Sequence, residues 1–247
     1  VDVMESSNQV AYSSWIDSNG TLRQRLGELQ SGSDNGVWVR MFGGKLGGDA
    51  FTNKYKTYQI GYDAKAGDWL IGAAYEYTDG SLNYNSGSGE NKIGAVSLYG
   101  TLLGKDDSAL DIVLKRGRIY GDMDIYGKYS DNGDYSTDAT SFGVEYSKRF
   151  EAGNDVFVEP QLQLTYGRID GYDYRSAKGV SVAYDDINSL IGSLGVVAGK
   201  EFKRGSAYVK ASVLHEFSGD GAVRMLAANG ESYKADKDYG DTWLELG

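Results

Sequence analysis

The 247-residue chain has no cysteine, one proline and one histidine. Without cysteine it can form no disulfide, thiol nucleophile or thiolate metal site, and it suits passage through an oxidising compartment. A single proline, Pro160, leaves long backbone ladders almost free of breaks. No stretch of about 18 apolar residues occurs, which excludes a transmembrane helix. Basic residues are in deficit, 25 Lys and Arg against 35 Asp and Glu, for a net charge of -10. No basic stripe can neutralise phosphates, so nucleic acid is excluded as a partner. The opening VDVMESSNQV lacks the basic-then-apolar order of a signal peptide, so any targeting segment is expected upstream of it.

What abounds is glycine, 35 residues, and tyrosine, 20 residues. Both suit long, twisted, closely packed strands. The length allows one large all-β domain or two small ones. A mean hydropathy of -0.44 looks soluble, but a membrane barrel turns only alternate residues to lipid and has a weak signal per segment. Around Pro160, Glu159, Gln161 and Gln163 alternate with Val158, Leu162 and Leu164. That period of two makes one face of the strand polar and the other apolar. Ten candidate strands share the pattern: 36–46, 54–65, 68–79, 90–103, 108–121, 138–151, 155–168, 188–203, 206–218 and 239–247. Most match or exceed the roughly 9 to 11 residues that a strand needs to cross a bilayer.

The connections decide which face is core. Every second one is tight: AG at 66–67, GKDD at 104–107, EAGN at 151–154 and KRG at 203–205. Those between read as long and polar, at 79–89, 122–137, 169–187 and 219–238. Short turns at one end and long loops at the other is the arrangement of an outer-membrane barrel. A soluble sandwich has no reason to segregate them. The Glu159/Gln161/Gln163 face is then the lumen, and Val144, Tyr146, Leu162, Leu164 and Val196 face lipid. Pro160 is read either as a single tolerated gap in a long ladder or as an edge or bulge position. Upstream, SSWIDSNGTLRQRLGELQ at 13–30 spaces Leu22, Leu26 and Leu29 as one short amphipathic helix, interrupted by Asn19-Gly20.

LRQRLGEL at 22–29, GVWVRMFGG at 36–44, EPQLQLTYGRI at 159–169, SLIGSLGVVAGKEF at 189–202, VLHEFSGDGAV at 213–223 and DTWLELG at 241–247 occur in this order. Together they resemble the translocator domain of autotransporters, the type V secretion systems of Gram-negative bacteria. The resemblance covers nearly the whole chain. No single string is diagnostic, but six in order are specific. It implies a transmembrane antiparallel β-barrel of twelve strands, about ten of them within this chain, with an N-terminal helix in the pore. Residues 1–35 are then linker and pore helix, carrying Leu22, Arg23, Arg25, Leu26 and Leu29. Residues 36–247 are the barrel, read as short of its last strands, because family members continue for about two more. It also implies a cell outer membrane location with long loops extracellular, and an N-terminal passenger. The lipid bilayer, barrel-assembly machinery and periplasmic chaperones are the further implied partners. Ser193 stands where many members have a basic residue.

No catalytic, cofactor or metal site is expected. His215 and Glu216 are adjacent on a strand, so they point to opposite faces and cannot form an acid–base pair. Asp63, Glu76, Asp111, Glu145, Glu159, Arg40 and Lys115 share no catalytic spacing. They either brace the lumen and hold Arg23 and Arg25, or are solvated by lumen water. Some family members release the passenger by asparagine cyclisation within the helix, at a pair of asparagines where this chain has Gly20-Thr21. Asn19-Gly20 is therefore read first as a helix breaker. The expected function is export and anchoring of a passenger. The alternatives are an outer-membrane barrel enzyme or a porin-like protein, which leave the helix unexplained, and a soluble β-domain, which explains only the alternation.

Overall fold

The computed structural model describes residues 2–20, 35–47, 50–128, 130–203 and 205–247. A helix, α1 (Asp2–Asn19), is followed by the strands β1 (Gly36–Gly47), β2 (Phe51–Ala66), β3 (Trp69–Tyr84), β4 (Gly87–Leu103), β5 (Ser108–Ile125) and β6 (Asp131–Lys148). Then come β7 (Phe150–Gly153), β8 (Val156–Ile169), β9 (Tyr172–Arg175), β10 (Ser181–Tyr184) and β11 (Ile187–Phe202). The chain finishes with β12 (Gly205–Glu216), β13 (Asp220–Leu226), β14 (Ser232–Asp238) and β15 (Thr242–Leu246). The main sheet runs β1-β2-β3-β4-β5-β6-β8-β11-β12-β15, each strand antiparallel to its neighbours, with β7 also paired to β8. Its ten successive strands are the ten expected from sequence. The sheet is curled, with α1 on its concave side.

Three expectations need correction. The 79–89 and 122–137 connections are not long loops: β3 and β5 continue to Tyr84 and Ile125, and β4 and β6 begin at Gly87 and Asp131. Leu82, Tyr84, Met123 and Tyr135 still point inward there, but their outward neighbours Ser81, Asn83, Asp122 and Asp134 are exposed and polar. The alternation loses its apolar outer phase and reads as a loop. Second, 169–187 and 219–238 carry four short strands, which form a separate sheet in the order β14-β13-β10-β9. Third, a helix already begins at Asp2 and runs to Asn19, so it starts well before the expected 13; the rest of the expected stretch, with the pore-helix residues Leu22, Arg23, Arg25, Leu26 and Leu29, lies outside the described residues. Asn19-Gly20 ends the helix, and the Gly20 N–H donates to the Asp17 carbonyl at 3.1 Å.

Pro160 sits at a break. The β6–β8 ladder stops at Ser147 opposite Gln161, and the β7–β8 ladder resumes at Phe150 opposite Val158. The ring's missing N–H therefore faces a gap between two partner segments, while pairing to β11 continues at Val196. The register is the same on both sides of the break, so no residue is bulged out and the reading as a single tolerated gap in a long ladder is the correct one.

Candidate functional site

The outward face of the main sheet is a band of exposed apolar side chains. On one side it includes Val37, Val39, Met41, Tyr58, Ile60 and Tyr77; further round come Leu98, Leu114, Phe142, Leu162, Leu164 and Val196. Its upper boundary shifts along the strands. Met41, Tyr58 and Tyr77 lie in one hydrogen-bonded row, and that row reaches Arg118 on β5 through Gly94. On β5 the run of apolar side chains is broken four residues earlier, after Leu114, by Arg116 and Arg118; Leu114 is opposite Phe142, itself opposite Tyr166. A level band that slips through the register in this way means strands tilted to the band, as a closed or closing barrel requires. Above the boundary the outward residues are mostly polar or charged, with Tyr120 among them. Arg116 and Arg118 bind Asp138 at 3.1 and 2.7 Å, and Arg168 binds Asp170 at 3.0 Å and also Asp186.

The concave face holds α1. The helix has no one-sided apolar stripe: Val10, Ala11 and Trp15 are buried, and so are Ser6, Ser7, Asn8, Ser14 and Ser18. Such a helix needs walls on several sides that supply both apolar contact and hydrogen bonds. The main sheet supplies them for the C-terminal half. Asn53 and Asn91 donate to Ser14 Oγ at 3.3 and 2.8 Å. Trp15 Nε1 and Asn19 Nδ2 donate to Ser141 Oγ at 2.7 and 3.0 Å. The Tyr55 hydroxyl donates to Asp17 at 2.7 Å, and that of Tyr12 donates to Glu216 at 2.7 Å. Lys115 pairs with Glu76, donates to Ser18 Oγ at 2.6 Å and lies 4.7 Å from the Trp15 ring centre.

The second sheet covers the N-terminal half. Its inner side chains Val182, Tyr184, Val223 and Met225 share a core with Val3, Met4 and Val10. Tyr135, Tyr172 and Tyr184 stack in series at 4.5 Å, and Tyr12 stacks on Tyr239 at 4.7 Å. Ser7 and the Tyr184 hydroxyl are 2.9 Å apart. Glu5 receives hydrogen bonds from Lys237 and Tyr233, both at 2.6 Å. Burial raises the Glu5 carboxyl, but these two donors outweigh it and leave the group below its ordinary value. Burial pushes the Tyr184 hydroxyl up to about 12.

The other residues expected at a lumen are distributed as follows. Asp63 is wholly buried and accepts from Tyr99 at 2.9 Å and from the Gly36 N–H at 3.1 Å. Glu159 accepts from Arg149 at 3.2 Å and from Gln161 at 3.0 Å. Gln163 donates to Thr165 at 3.2 Å, and Glu145 and Ser193 are buried. Arg40 is half-buried on β1. His215 is exposed, with Nδ1 2.6 Å from Thr242 Oγ1, whereas Glu216 is buried, so the two point to opposite faces. The contacts made by Glu5, Ser7, Tyr184 and Lys237 had no signal in the sequence, because a short polar strand and an all-round polar helix lack a visible period.

Comparison with known proteins returns one family throughout. Residues 37–247 match the family model described as Autotransporter beta-domain. The chain is 31% identical over 228 residues to the pertactin autotransporter of Bordetella parapertussis, covering 85% of this chain and 25% of that protein. It is 29% identical over 236 residues to the serine protease SepA autotransporter of Shigella flexneri, covering 91% of this chain and 17% of that protein. The chain thus spans about a quarter or less of the length of these relatives. Among solved structures it is similar to the β domain of the Bordetella autotransporter BrkA, with a TM-score of 0.67 and 26% identity, covering 86% of this chain and 95% of that one. The translocator domain of NalP from Neisseria meningitidis shares the fold, with a TM-score of 0.68 and 15% identity over 96% of this chain and 95% of that one.

Proposed function

The chain belongs to the autotransporter β-domain family, and from that membership we propose how its parts serve as an outer-membrane translocator of an N-terminal passenger. The exposed apolar band meets the lipid chains of the Gram-negative outer membrane. The concave face is the pore wall, lined by Arg40, Asp63, Glu145, Glu159, Gln161 and Gln163. α1 stands in that pore as the last part of the route the passenger takes. The 36–247 segment works as one translocator domain and 1–35 as its linker and pore segment. The end bearing the second sheet and the charged outer rim is extracellular. The domain has no catalysis of its own, and it reaches the membrane through periplasmic chaperones and barrel-assembly machinery.

One observation carries the reading: a polar helix buried on several sides against the concave face of a sheet whose convex face is apolar. A soluble domain inverts that arrangement, with apolar residues inside and polar residues outside. Conductance across a planar bilayer tests it. Deleting residues 2–20 from the membrane-inserted protein is expected to raise single-channel conductance. An unchanged conductance would put the helix elsewhere.

A further inference from the structure

Three exposed lysines stand together on the outer rim. Lys45 on β1 is directly opposite Lys54 on β2. Lys56 is two residues along β2 on the same face, and all three side chains are exposed. Directly opposite side chains in an antiparallel pair lie about 4.5 to 5.5 Å apart at Cβ, where like charges destabilise the ladder. Several other rim cations have a counter-charge: Lys92 binds Glu90, Arg116 and Arg118 bind Asp138, and Arg168 binds Asp170 and Asp186. Lys45, Lys54 and Lys56 form no ion pair among the described residues; the one carboxylate beside them in the register, Asp79 opposite Lys56, is also opposite Lys92. Their height is also specific. Lys56 lies one row beyond the apolar row of Met41, Tyr58 and Tyr77, and the Lys45–Lys54 pair lies one row beyond that.

From this cluster we infer a binding site for the phosphate of an outer-leaflet lipid headgroup. A headgroup phosphate seated over the three ammonium groups supplies the negative charge that the Lys45–Lys54 pair lacks and that Asp79, shared with Lys92, supplies only in part to Lys56. The lipid's acyl chains run down the adjoining face past Tyr58, Ile60 and Val39, which are exposed. A free phosphate uses only the first half of this surface. A phospholipid or glycolipid uses both, so the site is assigned to a lipid. The inference rests on the membrane orientation proposed above.

The test uses the chain folded in detergent micelles, with fluorescent lipid A as the probe. Wild type, the triple variant Lys45→Gln/Lys54→Gln/Lys56→Gln, and a charge-matched control at the opposite rim, Lys105→Gln/Lys148→Gln/Lys200→Gln, are titrated at constant ionic strength. The triple variant is expected to lose about tenfold or more in affinity, and the control to bind like wild type. Equal affinity of all three, or equal loss in both variants, overturns the site. Inorganic phosphate at 50 mM is expected not to displace the lipid; displacement means an anion site and overturns the lipid assignment. The orientation is scored separately, by quenching of a probe at Leu98→Cys in vesicles with brominated acyl chains. An unquenched probe refutes the membrane orientation. A quenched probe with lipid A binding unchanged in the triple variant refutes the lysine site alone.

Discussion

Lys115 and Glu76 form an ion pair on the concave face in which the two side chains are only 1% and 3% exposed. Taking two charges out of water costs more than a lone pair returns, so such a pair is weak evidence for added stability. Its geometry suggests a different use. The same ammonium donates to Ser18 and lies over Trp15, so the pair fixes where α1 sits along the wall.

Lys115→Met is expected to cost about 3 to 5 kcal/mol by leaving Glu76 buried and unpaired. Adding Glu76→Leu removes the uncompensated charge, and much of the loss is expected to return. Thermal unfolding of both variants in detergent, followed by the gel shift between folded and unfolded forms, reads this. A double variant no more stable than Lys115→Met would contradict it.

Leu162 is 59% exposed and its neighbour Gln163 only 8%. Leu162→Arg puts a charge on the apolar outer band and is expected to cost about 2 to 4 kcal/mol in a bilayer if the position is near the midplane. Gln163→Arg adds a charge to a polar interior and is expected to cost less. Folding yields of the two variants in lipid vesicles measure the difference. If Gln163→Arg is the more damaging, the two faces are assigned the wrong way round.

The second sheet should release at high pH. Tyr184 has its hydroxyl raised from the ordinary 10.0 to about 12, and burial drives Tyr172 well above 10.0. A folded-state value above the unfolded one gives stability that is complete below pH about 10 and is lost as pH rises towards the folded value. Absorbance at 295 nm is expected to show a late tyrosine step above pH 10, coincident with loss of near-ultraviolet dichroism. Tyr184→Phe should keep the stacking and remove the hydrogen bond to Ser7. A titration with all tyrosines ionising near pH 10 would contradict the buried ladder.

The parts of this fold inside the apolar band were legible in the sequence, and the parts beyond it were not. Within the band, every strand must alternate an apolar outer residue with a polar or small inner one, and Val158 to Leu164 display that on sight. Beyond it, water replaces lipid, and Ser81, Asn83, Asp122 and Asp134 satisfy the outer face equally well. The strands therefore continued through segments that read as loops. α1 was missed over Asp2–Tyr12 for a related reason: a helix enclosed by polar walls and a second sheet has no apolar stripe to detect. Asp63, Glu159 and Gln163 were visible because they keep the strand period. Glu5 and Lys237, 232 residues apart, are joined only by the tertiary fold.

The central claim is that α1 lies within the concave face while the protein is in a membrane. Ser14 Oγ is 2.8 Å from Asn91 Nδ2, and the chain has no cysteine of its own. Ser14→Cys/Asn91→Cys, inserted in vesicles and treated with a short thiol-to-thiol cross-linker, gives an unambiguous readout. Near-complete cross-linking is expected, detected as linked fragments after cleavage between residues 14 and 91. The pair Ser14→Cys/Leu98→Cys, with Leu98 on the outer face, is expected to stay unlinked. Linkage of the outer pair, or none at the inner one, would contradict the account.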